Sequence, residues 1–284
     1  MSARTTDLTP VRPVFLVDLF PPLHQELITL LRGLDPADWH RPTTCALWSV
    51  KDIAAHLLDT SLRRISLGRD RLDMSPDSEI ASYDDLVGYL NRLNAEWIAA
   101  SRRLSPRVLI ELLDFTAPKV HALFQSLDPH APATFSVAWA GESTSANWFD
   151  IAREYTERWL HQQQIRDAIG DAGLTARRWL GPALDVFMRA VPFTYRQVDA
   201  EPGSSVRIEI EGDAGGEWTL VRDARGWKLC TGAAAAAAAQ VKLDQDTAWR
   251  MFSKSLPPAT SKKIHIEGDR RLGQPLLGSV AVMA

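Results

Sequence analysis

The sequence contains little cysteine. Its 284 residues include only Cys45 and Cys230, which are far apart and lack a CxxC spacing. A disulfide framework and a cysteine-rich zinc site are therefore not expected. Long apolar runs are also missing, since no stretch approaches the roughly 20 residues that a membrane helix needs. We therefore predict no membrane insertion.

Positive charge is not in excess. Counts of 32 Lys plus Arg and 35 Asp plus Glu give a net charge of −3. Because phosphate binding needs a clustered basic surface, no nucleic-acid partner is expected. Residues 1–15 lack the apolar core of a signal peptide, which predicts a cytoplasmic location. What the chain does have is 45% hydrophobic residues and 10 tryptophans, enough for a large core and for aromatic pocket walls.

Residues 1 to about 196 are predicted to be helical. Apolar side chains recur at helical spacing, and Ser or Pro residues precede several of the segments. Ser49 is the predicted N-cap of one helix, with Asp52 completing a capping box. Gly170 is predicted to end another. The predicted helices are 21–34, 48–65, 83–104, 105–127, about 146–169 and 179–196.

The pattern changes after residues 199–205. Short segments then alternate apolar and polar residues between glycine-rich turns, which predicts strands at 206–212, 217–223, 226–230, 240–243 and 263–269. The fold class predicted is α+β with two domains: a helical bundle (1–170), a connecting helix or linker (171–198) and a small α+β domain (199–284). The alanine run 233–239 is too short to form an isolated helix and is interpreted as a spacer.

Polar residues on the segment 146–169 are the first candidates for chemistry. At 100° per residue, Glu157 and His161 lie about 40° apart, so both could reach one ion. Asp150, Arg153, Glu154 and Gln164 share that side of the helix. The stripe is either a solvated or paired face, or a metal or active site. His56, at the edge of an apolar arc, is either a packed histidine or a ligand.

Two motifs resemble a known family. The segment LWSVKDIAAHLLD (47–59) is similar to the signature of DinB-like metalloenzymes, in particular the mycothiol-dependent maleylpyruvate isomerase family. The segment EYTERWLHQQQIRDA (154–168) resembles the family's Glu–x–x–x–His motif. The segments GEWTLVRD and IHIEGDRRLGQPLL are similar to its sterol-carrier-like C-terminal domain. The likeness therefore covers most of the chain.

The resemblance implies a metal site formed by His56, Glu157 and His161. Two imidazoles and a carboxylate leave a fourth position on a divalent ion, most simply Zn²⁺, open to water or substrate. In the family a low-molecular-weight thiol, mycothiol or an equivalent, takes that position and is deprotonated by the ion. The expected function is isomerisation of, or thiol S-transfer to, a small electrophilic substrate. The protein is expected to be a monomer or a homodimer.

Further roles are predicted for residues around this site. Where the family often has Asp, this chain has Gln164, which can still form a hydrogen bond but carries no charge. Candidates for holding an acidic substrate are Arg153, Arg222, Arg270 and Arg271. Two other interpretations remain open. One is a metal-dependent hydrolase that uses bound water. The other is a non-catalytic module that binds an apolar ligand.

Overall fold

The structure, a computed structural model, describes residues 8–76, 79–258 and 260–282. This part of the chain forms two compact units, which confirms the α+β class. The bundle unit lies within residues 15–136 and 144–174, and the sheet unit within residues 8–14, 137–143 and 175–282. Across the described ranges, no helix has both the length and the apolar character needed to cross a bilayer.

The bundle unit contains five long helices. They are α1 (Phe20–Arg32), α2 (Val50–Arg63), α3 (Tyr83–Ser101), α4 (Pro106–Ser126) and α5 (Asn147–Ile169). The predicted capping box is confirmed: the Ser49 side chain accepts a hydrogen bond from the Asp52 amide, and the Ser49 amide donates to the Asp52 carboxylate. Gly170 ends α5 at a φ of +77°, a conformation that favours glycine. A π-helical segment, Arg64–Arg69, extends α2.

The core of the bundle unit explains why α2 and α5 are fixed. Ile53, Leu57 and Leu113 are almost completely buried together with Ile165 of α5. A fully buried residue of this size contributes about 1.5–3 kcal/mol relative to an exposed one. Helices held by such contacts cannot rotate about their axes at small cost, so their polar side chains have fixed directions. This is the basis of the site described below.

The sheet unit contains one six-stranded sheet of order β1-β4-β3-β2-β5-β6. The β2 and β5 strands are parallel and the other neighbours antiparallel. Its strands are β1 (Thr9–Pro10), β2 (Ser205–Glu211), β3 (Gly216–Asp223), β4 (Gly226–Thr231), β5 (Ala239–Asp244) and β6 (His265–Gly268). Its α-helices are α6 (Arg177–Phe187), α7 (Val191–Thr194), α8 (Gln245–Phe252) and α9 (Arg270–Gly273).

Two features of the sheet unit differ from a purely sequential layout. The prediction that the first 196 residues are helical is wrong at Thr9 and Pro10, which form an edge strand on β4. Pro10 has no backbone N–H, and an edge strand tolerates this loss. The predicted helical segment 179–196 is helical, in four consecutive short pieces, and belongs to the same unit as the sheet. The domain boundaries at 170 and 198 stay a prediction.

Candidate metal centre

Helices α2 and α5 bring three side chains of the predicted triad together. His56 of α2 and Glu157 and His161 of α5 each offer a ligand atom, and these atoms lie within 4.8 Å of one another. The His161 Nε2 is 3.3 Å from a Glu157 carboxylate oxygen. The two imidazole rings meet edge to face, with their centroids 4.7 Å apart. This group could hold a metal ion, because its spacing suits a single shared cation.

His56 fits the role of a ligand better than that of a packed histidine. It is 6% exposed, and its Nδ1 is buried without a hydrogen-bond partner among the described residues. Leaving a buried polar atom unpaired is costly, so such atoms normally have a partner. Burial, assisted by the proximity of His161, holds the pKa of His56 well below its usual value. The ring is therefore neutral near pH 7, as a metal ligand must be.

Glu157 and His161 form a charged pair in the ion-free protein. Burial alone would raise the pKa of Glu157, but the contact with His161 and the charge of Arg153 outweigh it and lower that pKa to about 2. Burial would lower the pKa of His161, but contacts with Cys45 and Glu157 outweigh it and raise the pKa to about 10. The carboxylate is thus ionised, and a bound cation would replace the proton on His161 as its partner.

Three residues around the triad orient its rings. The Gln164 carbonyl oxygen lies 2.8 Å from His161 Nδ1, which directs the other ring nitrogen towards Glu157. The Cys45 thiol donates to the same oxygen over 3.3 Å. The Trp48 ring lies 4.8 Å from the His56 ring and 6.0 Å from the His161 ring, centroid to centroid. The sequence predicted that Gln164 could form a hydrogen bond near the site, and the structure contains one, to His161.

Cys45 and Trp48 were not predicted as site residues. Cys45 has no adjacent cationic residue in the sequence, so nothing local marked it as a site residue. Trp48 follows Leu47 in the family motif, and its place in that motif was the sequence signal that it could belong to the site. Both lie just before α2, where the loop of residues 41–49 packs beside the triad.

Replacing Gln164 by leucine tests this orientation. Gln164→Leu keeps the volume but removes the acceptor of the His161 Nδ1 proton, so we expect metal affinity to fall by about 10- to 100-fold. Titration with a competing chelator measures this affinity. Gln25→Leu, the same change at an exposed position of α1, is the matched control and should bind metal like wild type. Equal affinities for Gln164→Leu and wild type would show that this bond has no such role.

The rest of the polar stripe on α5 is buried. Asp150 and Glu154 are 3% and 2% exposed, so a solvated face is excluded for them. The Arg64 guanidinium donates to both Asp150 oxygens over 2.5 and 2.7 Å, and its Nε donates to Glu154 over 3.2 Å. Arg64 itself is 5% exposed. These buried ion pairs fix the position of α5 relative to the end of α2.

Two further arginines complete this buried ion-pair network. Arg153 donates to Asp150 over 2.8 Å, and its own Nε is buried without a partner among the described residues. Arg158 donates to Glu154 over 3.1 Å and to the Ser61 hydroxyl over 3.1 Å. The network therefore contains three guanidinium groups and two carboxylates. The paired interpretation of the stripe is correct for this part of it.

The network makes stability sensitive to acid. Burial would raise the pKa of Asp150, but Arg64 and Arg153 outweigh it and lower the pKa from 3.8 to about 2. A lowered pKa in the folded state stabilises the protein above the unfolded-state value, and this stabilisation is lost as the pH falls. We expect a loss of about 2 kcal/mol between about pH 4 and pH 2, at 1.36 kcal/mol per pKa unit.

Urea denaturation as a function of pH measures this loss. In Asp150→Asn the decline over the same window should be smaller by that amount. Glu201→Gln, at an exposed position of the sheet unit, is the control and should follow wild type. Identical pH slopes for Asp150→Asn and wild type would contradict the assignment.

The other predicted arginines lie in the sheet unit. Arg222 is on β3, and Arg270 and Arg271 begin α9. Arg271 donates to the Asp199 carbonyl over 3.1 Å, and Arg222 bonds the Asp223 carbonyl. Their role towards a substrate stays a prediction. Arg153, by contrast, lies in the bundle unit, on the same helix as Glu157 and His161.

Comparison with solved structures supports the fold. A crystal structure of the mycothiol-dependent maleylpyruvate isomerase covers 83% of this chain and 86% of its own, with 11% identity and a TM-score of 0.51. A mutant of that enzyme covers 88% of this chain and 91% of its own, with 10% identity and a TM-score of 0.52. At this identity the likeness concerns the fold alone. Among curated proteins, none matches this chain.

The sequence itself matches a family model. The model describes the mycothiol maleylpyruvate isomerase N-terminal domain and matches residues 20–166, more than half of the chain. The matched region contains α1 to α4, nearly all of α5 and all three residues of the triad. The resemblance predicted from the two motifs is confirmed. This chain belongs to the mycothiol maleylpyruvate isomerase N-terminal domain family.

Proposed function

We propose that this protein is a metal-dependent enzyme that uses a low-molecular-weight thiol, mycothiol or an equivalent, to act on a small electrophile. The reaction is a cis–trans isomerisation like that of maleylpyruvate isomerase, or a thiol S-transfer. The observation that carries the proposal is the convergence of His56, Glu157 and His161 within 4.8 Å in a member of this family. A cytoplasmic location belongs to the proposal, because that compartment keeps small thiols reduced.

The donor set fits a divalent ion. Two imidazole nitrogens and one carboxylate oxygen are a common ligand set of catalytic zinc. The His56 Nδ1, which has no hydrogen-bond partner in the part of the chain that the structure describes, is consistent with a site that an ion completes. A bound divalent ion would supply Lewis acidity at its open position, lowering the pKa of a thiol there so that it reacts as thiolate. Zinc is proposed over harder ions because imidazole suits it.

The surrounding residues have distinct tasks in this proposal. Gln164 holds His161 in one tautomer through the 2.8 Å contact. Trp48 lies beside both imidazoles, and the burial of His56 and His161 limits their contact with water, which strengthens electrostatic interactions there. Arg153 is the proposed holder of an anionic substrate group. Its buried Nε, which has no partner within the described ranges, and its position one turn before Glu157 on α5 support this role.

A cobalt-substituted protein tests the proposal. We expect mycothiol, or another cellular thiol, to change the visible absorption of the cobalt-loaded wild type. Addition of the same thiol to His161→Ala exposed to the same cobalt should give no such change. A thiol should also be required for turnover of an electron-poor double bond. An unchanged spectrum with every thiol, together with thiol-independent ester or amide hydrolysis, would replace this function with the hydrolase interpretation.

A further inference from the structure

A cavity in the bundle unit lies between α1, α4 and α5. Its volume is about 240 Å³. Pro21 and Pro118 line it and are exposed, whereas Arg158 and Gln162 line it and are buried. The cavity thus extends from the surface to α5. Arg158 and Gln162 follow Glu157 and His161 by one residue each, so they point about 100° away from the triad.

The walls of this cavity are mostly apolar. They include Phe20, Leu23, Leu27 and Val120, all of them buried residues. An apolar cavity of about 150 Å³ is large enough to hold benzene. A volume of about 240 Å³ therefore accommodates a benzene-sized ring or a short alkyl chain together with one polar group.

The polar groups of the cavity favour an anion. Arg158 belongs to the buried ion-pair network, in which three guanidinium groups face two carboxylates, an excess of one positive charge. Arg158 is 9% exposed, and its bonds to described residues use Nε and Nη2. A buried excess of positive charge is stabilised by an anionic partner.

Two histidines add to this environment. The His121 Nε2 is buried and has no hydrogen-bond partner among the described residues. His24 lies 3.1 Å from an Asp114 oxygen, and Arg32 pairs with the other oxygen of that carboxylate. The charge of Asp114 is therefore compensated by Arg32. Burial lowers the pKa of His24, and the charge of Arg158 acts in the same direction.

We propose that this cavity is a second binding site, separate from the metal centre, for a small monocarboxylic acid with an apolar body. The carboxylate accepts hydrogen bonds from Arg158 and from His121. The ring or alkyl chain of the acid contacts Leu23, Leu27 and Val120. Charge-assisted hydrogen bonds to a buried carboxylate are among the stronger ones in proteins, so the charge of the ligand should control its affinity.

Calorimetric titration with benzoate tests this site. We expect one benzoate per chain, bound at least about tenfold more tightly than the neutral isostere benzamide. His121→Leu should weaken benzoate binding by about tenfold and leave benzamide binding nearly unchanged. Ala117→Leu fills the cavity from α4 and should abolish binding of both, with circular dichroism showing that the fold is retained. His56→Ala with His161→Ala should bind benzoate like wild type.

Several results would overturn the proposal. One is the absence of saturable benzoate binding up to about 10 mM, a concentration at which weak ligands also bind. Another is an equal affinity for benzoate and benzamide. Binding that persists in a folded Ala117→Leu protein would place the ligand elsewhere. Loss of binding in the variant without His56 and His161 would assign it to the metal centre instead. The variant without His56 and His161 lacks the proposed metal ligands. Its benzoate binding is therefore independent of the proposed function.

Discussion

Replacement of Glu157 by glutamine is expected to reduce metal affinity by at least about 100-fold and to abolish metal-dependent activity. The side chain keeps its size but loses the only negative charge among the three proposed ligands. Substitutions that merely perturb residues behind a ligand already cost about 10- to 100-fold, so loss of a charged ligand should cost more. Competition with a chelator of known affinity measures the effect.

The control for this experiment is a histidine outside the triad. His40→Ala, at an exposed position before α2, should bind metal like wild type. Because Glu157 also pairs with His161 at 3.3 Å, thermal unfolding must show that the variant is folded at the temperature of the assay. A double variant, His56→Ala with His161→Ala, that keeps stoichiometric metal would contradict the metal centre altogether.

Arg64→Ala should have the largest effect on stability. Arg64 is nearly fully buried, and its removal takes two hydrogen bonds from the buried Asp150 carboxylate and one from the buried Glu154 carboxylate. Breaking a buried ion pair in this way costs about 3–5 kcal/mol in the free energy of unfolding. Urea denaturation monitored by circular dichroism gives this quantity.

An exposed ion pair provides the matched control. Arg107 pairs with Glu111 one turn away at 2.8 Å, with side chains 88% and 59% exposed. Exposed pairs of this kind contribute little to stability, so Arg107→Ala should be nearly neutral. A loss below about 1 kcal/mol for Arg64→Ala would show that solvent reaches the network.

The helices and most strands could be predicted from the sequence because their signals are local. The capping box at Ser49 and Asp52 and the helix end at Gly170 depend on residues within one turn. The pair Glu157 and His161 is local as well, since helical geometry alone places them together. His56 is about a hundred residues away, and no spacing rule relates it to them. Only the family resemblance predicted that it joins the site.

Other features depend on contacts between distant segments, and no local pattern in the sequence predicts them. The stripe on α5 was visible, but its partner Arg64 precedes Asp150 by 86 residues. The strand Thr9–Pro10 has two residues, too few to show alternation, and proline argues against a strand. Cys45 gave no signal because its neighbour in the fold, Gln164, is 119 residues later.

The edge strand β1 affects the synthesis of the protein and the choice of fragments for expression. Thr9 and Pro10 pair with Thr231 and Cys230, so this strand is synthesised more than 200 residues before the strand it pairs with. A recombinant fragment that starts near residue 199 would lack this outermost strand and expose the rim of β4 to intermolecular pairing. Anyone who expresses the sheet unit alone should therefore graft residues 8–14 back onto it, for example by circular permutation.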